Sequence, residues 1–396
     1  MGHTLLRWLG AVAALAAAIA GLAVIALAVG ASLDPTSSYI ATTASSLWTT
    51  FGPHFALIAL VALVVSLVAI WLGARRLGTI ALLVTGIATL GAGYIVGSIL
   101  VATAAAGGSV NLVAALALGK MDVPDPDAVE TFATVDGQDL KMAIYLPPDK
   151  SKSMPVFAYI HGGGFMIGTN TETAHDLRWF ADRGWTVFSM DYRLFTTGNP
   201  TWDKAPADAA CGLAWIAANA ARFGGDPARI VLLGDSAGGN LAVNLAYGAA
   251  TGAVQSSCGA IPVPSAVVVQ YPAVDPVATY ERGFPVPDFE PSMLMMGYVG
   301  GKPEEFPDRI KAISSDTYIS DKAPPTLIIE PEKDGLVVSD GVYGFAEKAK
   351  AAGVDLQLVR IPFANHIYNQ IAADSIGNQT RLSITQHYFE QRGLAP

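Results

Sequence analysis

Three stretches in the first third of the chain run without polar interruption, whereas the remainder alternates short apolar runs with mixed, helix-like segments. Between Arg7 and Asp34 every residue is apolar or small, and residues 55–72 and 77–106 repeat the pattern. A bilayer core is crossed by about 20 apolar residues in a helix. The pattern therefore predicts three transmembrane helices, at 8–33, 55–74 and 77–106. A cleaved signal peptide is the competing reading of the first, but its apolar run is too long and its basic head too slight. Gly93 and Gly97 have the spacing for close helix packing, and the third stretch can continue past Ala106 toward Leu118 along the interface.

From Val156 onward the rhythm changes. Apolar runs at 155–160, 230–233, 271–275, 326–330 and 356–361 read as strands, with helical patterns at 209–221, 240–246, 339–352 and 383–392. That alternation predicts an α/β fold, a mostly parallel sheet covered by helices on both faces. The chain thus divides into a membrane region, 1–120, and an α/β domain, 121–396. Residues 276–319 break the rhythm and are rich in proline, methionine and aromatics, including Tyr280, Phe284, Phe289, Met293, Met295, Met296 and Tyr298. Such side chains make adaptable apolar walls, so this segment is expected to cap a pocket, the alternative being an irregular insertion packed on the core.

Charge sharpens the division. Residues 1–120 carry a net +3 and residues 121–396 a net −12, two regions suited to different solvents. An acidic domain argues against a nucleic-acid partner. Arg7 precedes the first span and Arg75-Arg76 lie between the second and third, while residues 35–54 hold no basic residue. The positive-inside rule then places the N-terminus in the cytoplasm, and three spans put the α/β domain outside a cell membrane, with Lys120 the one charge against. Cys211 and Cys258 would there meet an oxidising space. Nothing in the spacing brings them together, and two unpaired cysteines are the more ordinary expectation.

The candidate chemistry centres on Gly234-Asp235-Ser236-Ala237-Gly238-Gly239, between a strand and a helix. Gly-x-Ser-x-Gly in that setting is a nucleophile elbow, a sharp turn that lifts a serine above the sheet edge. Upstream, the strand at 155–160 runs into His161-Gly162-Gly163-Gly164, whose successive glycines can aim backbone N–H groups at one point, as a developing oxyanion requires. The glycine spacing fits no dinucleotide fingerprint or phosphate loop. A serine hydroxyl needs a base, and that base an orienting acid. After Ser236 the histidines are His366 and His387; His366 follows a strand in Pro362-Phe363-Ala364-Asn365, whereas His387 lies in a polar C-terminal helix pattern. For the acid, Asp334 sits in the turn after the strand 326–330; Glu332 and Asp275, read as ending the strand 271–275, compete with it, and Asp340 reads as a solvated residue at a helix start.

With these motifs the chain from about residue 130 onward resembles the hormone-sensitive-lipase-like esterases of the α/β-hydrolase fold. The resemblance rests on His161-Gly162-Gly163-Gly164, Asp191-Tyr192-Arg193, the elbow at Ser236, the Asp334 loop and His366. It implies a carboxylic-ester hydrolase with Ser236 as nucleophile, His366 as base and Asp334 as its partner, working through an acyl-enzyme. It also implies an oxyanion hole from the N–H groups of Gly163, Gly164 and Ala237. One departure stands out: where such esterases commonly continue Leu-Ala-Pro-Glu after the arginine, this chain reads Leu194-Phe195-Thr196-Thr197-Gly198, which leaves related carboxylesterases and deacetylases open. No cofactor and no metal are implied. The membrane helices suggest an ester presented at, or carried by, a lipid bilayer. An acyltransferase using the same triad, or a binding module on a hydrolase fold, are the alternatives.

Overall fold

The structure, a computed structural model, describes residues 2–149, 151–283 and 289–396; Phe284 of the expected cap lies outside the described residues. The chain forms two compact units. One comprises Met1–Lys120 with Pro331–Lys333 and Ile361–Ser383, the other Met121–Glu330, Asp334–Arg360 and Ile384–Pro396.

The first unit is built on α1 (Gly2–Ser32), α2 (Tyr39–Trp71) and α3 (Arg75–Ala105), followed by the short α4 (Leu112–Ala117). All three long helices are long and apolar enough to cross a membrane. Their exposed faces carry large apolar side chains such as Leu15, Val64 and Leu83, and their shared interior is small: Ala14, Ala17, Ala62, Ala69 and Ala81. Small residues let helix backbones approach where lipid, rather than water, is the solvent. The close approaches occur at Gly78, whose added Cβ would lie 2.6 Å from Ile70, and at Gly21, 3.1 Å from Thr85. The expected approach at Gly93 and Gly97 is not found, since nothing lies within 4 Å of either.

The second apolar stretch is also longer than 55–74 suggested. Ser38 caps α2, which runs 33 residues through Pro53. Its first half escaped the hydropathy pattern because it is rich in hydroxyls. Ser45 Oγ and Ser46 Oγ, however, donate to the carbonyls of Ala41 and Thr42 one turn back, so the helix accommodates them. Past Ala105 the chain does not continue as one helix; it breaks before α4.

The second unit contains β1 (Ala128–Val135), β2 (Gln138–Tyr145), β3 (Met154–Ile160), α5 (Ala174–Ala181), β4 (Thr186–Met190), α6 (Lys204–Asn219), β5 (Gly225–Asp235), α7 (Ala237–Thr251) and β6 (Ala266–Gln270). There follow α8 (Pro276–Glu281), α9 (Pro291–Val299), α10 (Pro307–Ile313), β7 (Thr326–Pro331), α11 (Ser339–Ala351), β8 (Leu356–Ile361) and α12 (Ile376–Gln391), whose N-terminal half belongs to the first unit. The sheet has eight strands in the order β1-β2-β4-β3-β5-β6-β7-β8. The central pairs β4–β3, β3–β5, β5–β6 and β6–β7 are parallel, and their strands are buried along nearly their whole length, as a sheet covered on both faces requires. The antiparallel β1–β2 hairpin at one edge turns on Asp136-Gly137, both at positive φ.

Two expectations are corrected here. The run 271–275 is not a strand: β6 ends at Gln270, and Asp275 is the N-cap of α8, accepting from the N–H groups of Val277 and Ala278. Cys211 and Cys258 are disulfide-bonded, with Cα atoms 5.1 Å apart. The partners are 47 residues apart, and only the packing of α6 beside α7 brings the loop after α7 back to α6. Closing a loop of that length removes unfolded-state entropy worth about 4 kcal/mol. Cys211→Ala/Cys258→Ala is therefore expected to unfold at lower temperature than the oxidised protein, a difference that reductant should abolish. Coincident melting curves without reductant would show that the bond contributes nothing.

Candidate active site

Ser236 stands between the last residue of β5 and the first of α7, at φ 55° and ψ −117°. A residue with a Cβ is strained at positive φ, and the surroundings hold it there. Its N–H donates to Gln270 O at 2.9 Å, and its carbonyl accepts from Asn240 N. The glycines of the motif have steric reasons. A Cβ on Gly234 would lie 2.2 Å from Gly238 O, and one on Gly238 would lie 2.2 Å from Ile160 O and 2.3 Å from His161 O. Helix, strand and neighbouring strand end thus meet at backbone contact. Asp235, inside the motif, is buried and accepts from Tyr159 Oη and Gln270 Nε2, each at 3.0 Å, tying β3, β5 and β6 together below the serine.

The segment after β3 is equally constrained. Gly163 and Gly164 have φ of 97° and 61°, and Phe165 follows at 60°. A Cβ on Gly163 would strike Ile167 O at 2.0 Å, and one on Gly164 would lie 2.8 Å from Leu294. Gly163 O accepts from Met166 and Ile167 N, closing the turn. Among the described residues, the N–H groups of Gly163, Gly164 and Ala237 make no hydrogen bond to another protein group.

The Asp191-Tyr192-Arg193 segment buttresses this turn. Tyr192 Oη donates to the carbonyls of His161 and Gly162, and its ring stacks on His161 at 4.4 Å. Asp191 accepts from Lys141 and Asn170 N, with burial raising its carboxyl above the ordinary range. Arg193 grips Asp208 of α6 with two bonds of 2.8 Å. His161 is buried, and burial holds its imidazole down at about 4.

Asp334 is buried in the turn after β7, and its Oδ1 accepts from Leu336 N at 2.8 Å and Val337 N at 2.7 Å. Arg282 Nη2 reaches its backbone carbonyl. Glu332 is exposed and Asp275 is occupied as a helix cap. Asp340 is an exposed residue in the first turn of α11. Glu330, at the end of β7, is completely buried; burial first, and then the neighbouring Asp334 charge, push its carboxyl well above the ordinary range. A narrow apolar cavity is lined by Gly164, Phe165, Ser236 and Ala237, by Ala273 and Thr279, by Pro291, Leu294 and Met295 of α9, and by Leu336 and Val337 of the Asp334 turn. The cavity thus joins the elbow, the glycine turn, the Asp334 turn and the 276–319 segment. Phe165 is fixed by stacking on Tyr298 at 3.7 Å.

His366 lies in the helical unit, buried, after β8. His387 is half-buried on α12.

Residues 142–348, just over half of the chain, match the family model described as BD-FAE. The chain belongs to the BD-FAE family. This esterase is 29% identical over 272 residues to an ethyl acetate hydrolase of Pseudomonas putida, an alignment covering 65% of this chain and 80% of the relative. It is 27% identical over 297 residues to Lipase 2 of Moraxella sp. (strain TA144), covering 65% and 66%. The native structure of a thermophilic esterase of Thermogutta terrifontis superposes with a TM-score of 0.56 at 25% identity, covering 69% of this chain and 95% of that one. The α/β-hydrolase fold and the hormone-sensitive-lipase-like resemblance therefore stand, and the protein is a carboxylic-ester hydrolase.

The buried carboxyl of Glu330 beside Asp334 had no signal in the sequence, where it reads as one more strand residue. Among the described residues no group of three or more His, Cys, Asp or Glu side chains is placed to hold a metal ion.

His161 generates an acid-stability prediction. Its folded value near 4 lies below the ordinary 6.5, so the fold binds fewer protons than the unfolded chain between those pH values. The neutral ring contributes fully above pH about 6.5, and up to about 3 kcal/mol is lost as the pH falls toward 4. Denaturant midpoints at pH 7 and 4.5 should fall further in the wild type than in His161→Gln. Equal falls would show that His161 does not titrate in this way.

Proposed function

We propose that this esterase is a membrane-anchored serine hydrolase of carboxylic esters, with Ser236 as nucleophile, His366 as general base and Asp334 orienting the imidazole. The observation that carries the reading is the strained Ser236, opening with Gly164 and Ala237 onto one apolar cavity. His366 would take the Ser236 proton as the oxygen attacks the ester carbonyl, then return it to the leaving alcohol. Water, activated by the same imidazole, would release the acyl group. The N–H groups of Gly163, Gly164 and Ala237, without other protein acceptors, suit the tetrahedral oxyanion. Each such donor is worth about 3 kcal/mol in the transition state.

The apolar lining of the cavity, with Leu294 and Met295 as one wall, supports an acyl-chain pocket. In this reading residues 276–319 are the cap. In the same reading the three apolar helices anchor the chain, and Arg7, Arg75 and Arg76 support a cytoplasmic side for the ends they flank. The hydrolase unit is then extracytoplasmic, a compartment suited to the disulfide. A related esterase of T. terrifontis has been phosphonylated by sarin, which supports a fluorophosphonate as the reporter of Ser236.

The test uses the detergent-solubilised full chain with p-nitrophenyl esters of graded length. Ser236→Ala should abolish both turnover and fluorophosphonate labelling. Asp334→Asn should lower kcat by roughly 10⁴-fold. Glu330→Gln, replacing a protonated acid by its neutral isostere, should stay within about tenfold of wild type. Leu294→Ala should move the preferred acyl chain to greater length. A folded Ser236→Ala variant that still turns over ester would overturn the reading.

A further inference from the structure

The segment that carries His366 folds with the apolar helices, and one side chain makes the join. Asn365 is buried, and its Nδ2 donates to Thr42 O at 3.2 Å, Ser45 Oγ at 3.0 Å and Ser46 Oγ at 3.3 Å, all in the first two turns of α2. Its Oδ1 accepts from His366 N at 2.7 Å. Both ends of the amide are therefore in use, one on the helix and one on the histidine's own backbone.

The chemistry of the pair selects asparagine. The hydroxyl protons of Ser45 and Ser46 are committed to carbonyls of α2 itself, so these oxygens face Asn365 as acceptors. Only a donor satisfies them, and only an acceptor satisfies the His366 N–H; an amide supplies both in one planar group. The backbone on either side needs holding. Phe363 and Ile367 have φ of 57° and 54°, a conformation that a β-branched residue such as Ile367 seldom adopts.

Further contacts pin the same segment. The Phe363 ring meets Tyr94 of α3 edge-on at 5.9 Å. Gly377 leaves room for Tyr368 O, 2.2 Å from where its Cβ would be, and for Thr49 of α2 at 3.0 Å. Thr380 and Thr103 of α3 share a buried hydroxyl bond of 2.7 Å.

We infer that Asn365 is a positioning residue through which α2 sets the backbone of His366, so that the membrane helices are a working part of the esterase and not only its tether. This rests on His366 being the general base, and the experiment separates the two claims. In the full chain, Asn365→Ala should lower kcat roughly tenfold or more, with KM little changed and the variant still folded at the assay temperature. Asn365→Asp keeps an acceptor for the His366 N–H but, when ionised, offers no donor to Ser45 and Ser46, and should lower kcat as Asn365→Ala does. A merely structural contact would leave kcat per fluorophosphonate-labelled site unchanged. If Asn365→Ala does not fold, Ser45→Ala/Ser46→Ala, which removes the acceptors from the far side, should show the same loss of kcat. Wild-type kcat in the folded variants, with His366→Ala inactive, would overturn the inference alone. An active His366→Ala would overturn the reading beneath it.

Discussion

Backbone contact at the elbow is the constraint on which the hydrolase unit depends. Ser236 sits at positive φ because β5, α7 and the end of β3 come so close that Gly234 and Gly238 have no room for a side chain. A Cβ at Gly238 would meet the carbonyls of Ile160 and His161, the residues that lead into the glycine turn. The elbow and the turn are therefore fixed against each other through main chain, the least adjustable material available. Asp235 and Tyr192 add the polar ties that stop either from relaxing: one joins three strands beneath the serine, the other holds the carbonyls of the turn. Strain at a reactive residue persists only where neighbours over-determine it, and here they do.

Much of this was legible in the chain, for local reasons. The glycines around Ser236 and at 162–164 mark places where only hydrogen fits, and the structure gives each a steric partner. The strands β3, β5 and β7 were visible as apolar runs because buried parallel strands are apolar on both faces. Tyr271-Pro272-Ala273-Val274 misled for the same reason: it is buried and apolar without being a strand. The amphiphilic first half of α2 was hidden because its hydroxyls are satisfied inside the helix, which a hydropathy pattern does not register. The disulfide and the Asn365 contacts were not legible, since both join residues whose proximity is a product of packing.

The Gly163-Gly164 turn, Ser236 and the Asp334 turn come from strand ends of one sheet, where rigid strands give placement without side-chain flexibility. The histidine's loop has no such scaffold of its own. It takes left-handed conformations on both sides of His366 and relies on α2 and α3 to hold them. On the proposed role of His366, helices that hold its loop would make activity sensitive to their own state, a property a simple tether would lack.

Ester cleavage is proposed to proceed through an acyl group carried on Ser236. The most direct measurement is rapid acid quenching of the full chain during turnover of a butyrate ester, followed by mass spectrometry of the peptide that contains Ser236. A butyryl adduct on Ser236 should form before steady state and decay as substrate is exhausted. Steady turnover with Ser236 unmodified throughout, or with the acyl group on another residue, would contradict it.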